Sequence, residues 1–79
     1  MTSVHDFITV LHNMIDEHFP NTERFIISGG DYIKDMVLEL REGDKTLRYS
    51  PYELFHTSDD YENTIDAFLD LWKSICDND

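Results

Sequence analysis

The stretch Leu38-Glu39-Leu40-Arg41-Glu42-Gly43-Asp44-Lys45-Thr46-Leu47-Arg48-Tyr49 decides the fold. Two alternating runs flank a Gly-first pair, and Gly43 can take a positive φ without a Cβ clash, which suits a two-residue type II′ hairpin loop. Closing the loop at Gly43-Asp44 pairs Arg41 with Thr46, Leu40 with Leu47, Glu39 with Arg48 and Leu38 with Tyr49. The large apolar residues then share one face, and Glu39 stands opposite Arg48 on the other.

On the N-terminal side, Glu23 to Ser28 reads as a first strand, with Phe25 and Ile27 expected on the core face and Arg24 and Ile26 on the other. Gly29-Gly30-Asp31 breaks it. Tyr32 to Arg41 reads as the second strand, clearest from Met36 onward, and Lys45 to Ser50 as the third. Before the sheet, Ser3 is a candidate N-cap with Asp6 three residues on. Val4, Phe7, Ile8, Leu11, Met14, Ile15 and Phe19 then recur at three- and four-residue steps, giving an amphipathic helix that ends by Pro20. Its polar face holds His5, Thr9, His12, Asn13, Asp16 and Glu17.

Beyond the sheet, Ser50-Pro51-Tyr52-Glu53 places a capping serine, a first-turn proline and a third-position glutamate, so a short helix through Phe55 is expected. A new start within Thr57-Ser58-Asp59-Asp60 leads into a long helix whose apolar stripe is Tyr61, Ile65, Phe68, Leu69, Trp72, Ile75 and Cys76. The expected fold is a single α+β domain of order α-β-β-β-α-α. Two amphipathic helices cover one face of a three-stranded antiparallel sheet. Arg24, Glu39, Arg41, Thr46 and Arg48 are expected on the open face, with Ile26 and Val37 as apolar islands.

The chain has 79 residues, of which 41% are apolar and 13% aromatic, which suffices for one small core and disfavours a disordered acidic segment. A single cysteine excludes an internal disulfide and fits a reducing compartment. The N-terminus offers no basic leader and no continuous apolar run, so a soluble, cytoplasmic protein is expected.

The net charge of −11 exceeds what solubility asks of a small domain, a magnitude of about 2 to 8. Its distribution is uneven. Residues 1–23 hold four acids and no base, residues 24–50 five of each, and residues 51–79 eight acids and one base. A neutral sheet flanked by acidic segments would repel nucleic acid and anionic membranes and favour a basic partner. On the last helix Glu62, Asp66 and Asp70 lie at steps of four, about 6 Å apart along one face; Lys73 relieves only one end, and Asp59, Asp60, Asp77 and Asp79 extend the negative zone. Such a row can imitate the phosphates of a nucleic-acid strand. The acidic turn Glu42-Gly43-Asp44 adds carboxylates able to bind guanidinium bidentately.

Chemistry of other kinds finds little support. His12 and Asp16 stand at i,i+4, but no third ligand is placed by spacing, so no metal or cofactor is expected. Cys76 lies on the apolar stripe, where a structural thiol is expected, and no phosphate or dinucleotide loop is present. A non-catalytic protein follows.

The element order, the Ser28-Gly29 break, the acidic turn Glu42-Gly43-Asp44 and the run Glu62-Asn63-Thr64-Ile65-Asp66-Ala67-Phe68 together resemble the small acidic phage anti-CRISPR proteins that act as DNA mimics. The likeness is greatest to those that block the type II CRISPR nuclease at its PAM-reading site. It implies a basic DNA-binding groove as partner, with Glu42, Gly43 and Asp44 on the inhibitory surface and carboxylates of the later helix, Asp66 and Asp70 foremost, contributing. The connector between Pro51 and Tyr61 is not part of the likeness. The alternative is an interaction module or toxin-neutralising immunity protein that uses the open sheet face through Ile26, Val37, Arg41 and Arg48.

Overall fold

A computed structural model describes residues 3–29 and 31–77. Helix α1 (Val4–His18) is followed by strands β1 (Glu23–Ser28), β2 (Val37–Glu42) and β3 (Lys45–Tyr49), then helices α2 (Pro51–His56) and α3 (Tyr61–Asp77). The strands form one antiparallel sheet in the order β1-β2-β3, so β2 is central.

The β2–β3 hairpin has the register that the Gly43-Asp44 turn dictates, from Glu42↔Lys45 through Leu38↔Tyr49. Gly43 has φ +63° and no described non-glycine residue has positive φ, so only the first loop position is left-handed. That is the type II′ pattern, since type I′ needs positive φ at both positions. The capping signals also act as read. The Ser3 side chain accepts from the Asp6 N–H at 3.1 Å, and the Ser50 side chain accepts from the Glu53 N–H at 3.4 Å with Pro51 at the start of α2.

The core lies between the sheet and the helices. Phe7, Leu11 and Ile15 of α1 and Ile65, Phe68 and Trp72 of α3 close over Leu38, Leu40 and Tyr49. Phe55 of α2 joins through ring contacts with Phe7 and Tyr61 at centroid distances of 5.6 and 5.1 Å. The layer arrangement is the expected one: helices on one face of the sheet, the other face bare.

Three expectations need correction. First, the second strand begins at Val37 rather than Tyr32, because Ile33–Asp35 forms a 3-10 turn. Gly29, at φ +71°, lets the chain double back until its α-carbon lies against the Asp35 carbonyl; a Cβ there would sit 2.0 Å from that oxygen.

Second, β1 presents the opposite faces. Phe25 pairs with Glu39, so it lies on the bare face, while Arg24 pairs with Leu40 and Ile26 with Leu38 on the helix side. An edge strand tolerates this inversion. Arg24 reaches past the sheet edge to Asp16 of α1 at 3.0 Å, and Phe25 receives the Arg41 guanidinium 4.4 Å above its ring. A register shift between Ile26 and Ser28 then re-aims the end of the strand. Ile26 remains 62% exposed although it shares a face with the core.

Third, His12 is not on a solvated helix face. Its Nε2 lies 3.0 Å from the Tyr49 hydroxyl, and the two rings meet edge to face at 83°.

Candidate functional site

The hairpin tip is held out from the sheet by its own turn geometry. Gly43 has nothing within 4 Å of where a Cβ would sit, and both Gly43 and Asp44 are exposed. Glu42 differs. It shares the helix-side face with Leu40, is half-buried, and its Oε1 accepts from the Thr22 hydroxyl at 2.7 Å. Thr22 Oγ1 in turn accepts from the indole Nε1–H of fully buried Trp72 at 3.0 Å. The three residues form a polar pin joining the turn after α1, the end of β2 and the last turns of α3. Glu42 therefore fixes the tip, and Asp44 is the carboxylate it displays.

Asp59, Glu62, Asp66 and Asp70 are exposed, and none of them has an ion-pair partner within 4.0 Å among the described residues. Asp60 caps α3: its Oδ1 accepts from the Asn63 N–H at 3.3 Å and its Oδ2 from the Asn63 amide at 3.2 Å. With 17 residues in α3, the carboxylates extend from Asp59 and Asp60 at one end toward the hairpin tip beside the other, about 25 Å away. One carboxylate every ~6 Å along the helix compares with one charge every ~3.4 Å of a DNA strand, close to alternate phosphates.

On the bare face of the sheet the two arginines are paired with Glu39. Arg41 donates from Nε to Glu39 Oε2 at 3.2 Å and from Nη2 to the same oxygen, and Arg48 Nε donates to Glu39 Oε1 at 3.1 Å. Both arginines lie on the bare face, yet Glu39 beneath them is only 4% exposed. The hydrogen bonds from Arg41 and then Arg48 hold its carboxyl below the usual carboxylate range, against the opposing effect of burial. Since Arg24 pairs with Asp16, all three arginines are engaged and the acidic surplus lies on the helical layer and at the tip. The cross-strand Glu39–Arg48 pair was legible from register, but the part played by Phe25 was not.

A groove of about 410 Å³ runs between α1 and α3. Half-buried Met14, Phe19 and Leu69 line it together with exposed Asp66, Asp70, His18 and Lys73. Of the acidic residues singled out by sequence, Asp66 and Asp70 alone enter this cavity, and the residues opposite them come from α1 and its C-cap Phe19, about 50 positions earlier. A second groove of about 470 Å³, between β3, α2 and α3, has Leu47, Leu54, Phe68 and the exposed Leu71 in its lining.

No family model, curated protein or solved structure matches this chain. The site therefore stands on its own residues. Among those described, no group of three or more His, Cys, Asp or Glu is arranged to hold a metal ion. No described helix is long and apolar enough to cross a membrane. His56 stacks on Tyr52 at 5.8 Å, and burial raises the pKa of the half-buried Cys76 thiol, helped by the negative charges of Glu42 and Asp77.

Proposed function

We propose that this protein is a non-catalytic inhibitor that occupies a basic DNA-binding groove of another protein by presenting ordered carboxylates in place of phosphates. The observation that carries this reading is the row of exposed carboxylates on α3, none of them in an ion pair within 4.0 Å among the described residues and with Lys73 the one cation on that helix, in a chain whose arginines are all engaged elsewhere. The hairpin tip supports it by holding Asp44 clear of the body on a pinned turn. The narrower expectation, a phage-encoded protein acting in the host cytoplasm on the PAM-reading site of a type II CRISPR nuclease, rests on the resemblance in turn chemistry.

Affinity for that nuclease complex, measured across salt concentrations with target DNA as competitor, tests the proposal. Exposed charges are screened over about 10 Å at 0.1 M salt, so binding should weaken steeply as salt rises. A flat salt response, or binding that leaves DNA uptake unaffected, refutes it.

The bare sheet face favours a second reading, an interaction module, through Phe25 under Arg41 and the largely exposed Arg48. Only that reading has partner binding abolished by Arg48→Ala while the acidic helix is intact.

A further inference from the structure

The carboxylates of α3 do not share one environment. Asp59, Asp60 and Glu62 are outside both grooves, whereas Asp66 and Asp70 border a cavity with Met14, Phe19 and Leu69 in its lining. An evenly solvated acidic face would not need a hydrophobic recess formed with a second helix. The groove also holds more acid than base, with two carboxylates to one lysine. Asp66 and Asp70 are like charges at i,i+4, an arrangement that destabilises an isolated helix. Lys73, three residues beyond Asp70, makes no ion pair within 4.0 Å among the described residues. The recess thus joins two carboxylates that make no ion pair within 4.0 Å among the described residues to half-buried apolar side chains, one of them aromatic, with Lys73 and His18 also in the lining.

The occupant that complements all of these is an arginine side chain. Its three-methylene stem can lie along Met14 and Leu69, its flat and weakly hydrated guanidinium can stack on Phe19, and its forked donors match a carboxylate bidentately. A lysine ammonium brings the charge, but it is more strongly hydrated and lacks the plane and the fork. We propose that the α1–α3 groove is an arginine-specific pocket that seats one arginine of the basic partner between Asp66, Asp70 and Phe19. This rests on the reading of the protein as a ligand for basic grooves, and it assigns the partner's anchoring residue and the place where it docks. It also gives Lys73 a sign: as a like charge at the pocket it opposes the incoming guanidinium.

The test uses the full chain, ¹⁵N-labelled, titrated at low salt with a capped tetra-arginine peptide and separately with tetra-lysine. The arginine peptide should bind at least about fivefold more tightly, and amide shifts should move at Met14, Phe19, Asp66, Leu69 and Asp70. Asp66→Asn with Asp70→Asn should weaken the arginine peptide about tenfold or more. Because that pair removes a repulsion within α3, the loss cannot be assigned to unfolding, and an unchanged near-UV circular dichroism spectrum checks the fold. Phe19→Leu should narrow the preference for the arginine peptide, leaving only what the fork on Asp66 and Asp70 supplies, and Lys73→Ala should tighten both. Equal affinities for the unmodified chain, or shifts confined to Asp59, Glu62 and Asp44, overturn the pocket while leaving the acidic-mimic reading intact. Failure of both peptides to bind at low salt overturns both readings.

Discussion

His12 gives the most direct physical test of the packing. Its imidazole sits between α1 and the sheet, Nε2 3.0 Å from the Tyr49 hydroxyl. Burial, reinforced by the nearby positive charge of Arg24 and only partly opposed by Asp16, lowers its pKa from 6.5 to about 4. The same burial raises the pKa of the Tyr49 hydroxyl, so at neutral pH both partners are uncharged. The sign follows from proton uptake. Below pH 6.5 the unfolded chain protonates His12 while the folded chain does not until about pH 4, so stability is full above 6.5 and falls as the pH descends toward 4. Each pH unit of displacement corresponds to about 1.36 kcal/mol, which for a fully dry ring gives a loss of about 2 kcal/mol between pH 7.5 and 5.0. The ring is half-buried, so solvent screening reduces the expected loss to about 1 kcal/mol. Carboxylates titrate too, and the comparison with His12→Gln isolates the imidazole, because glutamine keeps an acceptor for Tyr49 and does not ionise. Urea unfolding followed by circular dichroism should show the native chain losing about 1 kcal/mol more than His12→Gln over that interval. Parallel stability curves, or a His12 ring proton that titrates near 6.5 by NMR, would refute the reasoning.

Three further outcomes are expected. Thr22→Val removes the centre of the Trp72–Thr22–Glu42 pin and strands a buried indole N–H, costing about 1–3 kcal/mol, with a shift in the emission of the single tryptophan as a second readout. Gly43→Ala, left-handed but sterically open, should cost about 1–2 kcal/mol in thermal or urea unfolding, and Gly29→Ala well beyond that, since its Cβ would meet the Asp35 carbonyl. Glu39→Gln should flatten the acid limb of the stability curve. The Glu39 carboxyl is held below its ordinary pKa in the fold, so its contribution is present above that pKa and is lost as pH falls through the folded value.

Sequence carried the hairpin because one glycine at one turn pins the register of every pair beyond it. The helix starts were legible for the same local reason: Ser3 and Ser50 bond to amides three residues away. The faces of β1 were not. In Glu23-Arg24-Phe25-Ile26-Ile27-Ser28 apolar residues occupy both phases of the alternation, and the choice was made by Asp16 and Arg41, which belong to other elements. His12 was misread because its partner is 37 residues away. At the candidate site the spacing of Asp66 and Asp70 was visible along α3. The recess beside them was not, because Met14 and Phe19 reach it only once two helices are docked.

The pin at Thr22 also bears on the order of assembly. The β2–β3 hairpin needs only neighbours in sequence, and such hairpins close in about 1–10 µs. Trp72, by contrast, must find a hydroxyl 50 residues upstream, and that hydroxyl must already face a carboxylate 20 residues downstream. Loop closure over such distances comes late, since its entropic cost precedes any reward. The indole hydrogen bond is thus a latch that closes only when α3 is seated beside the turn after α1, and tryptophan emission should report completion of the fold.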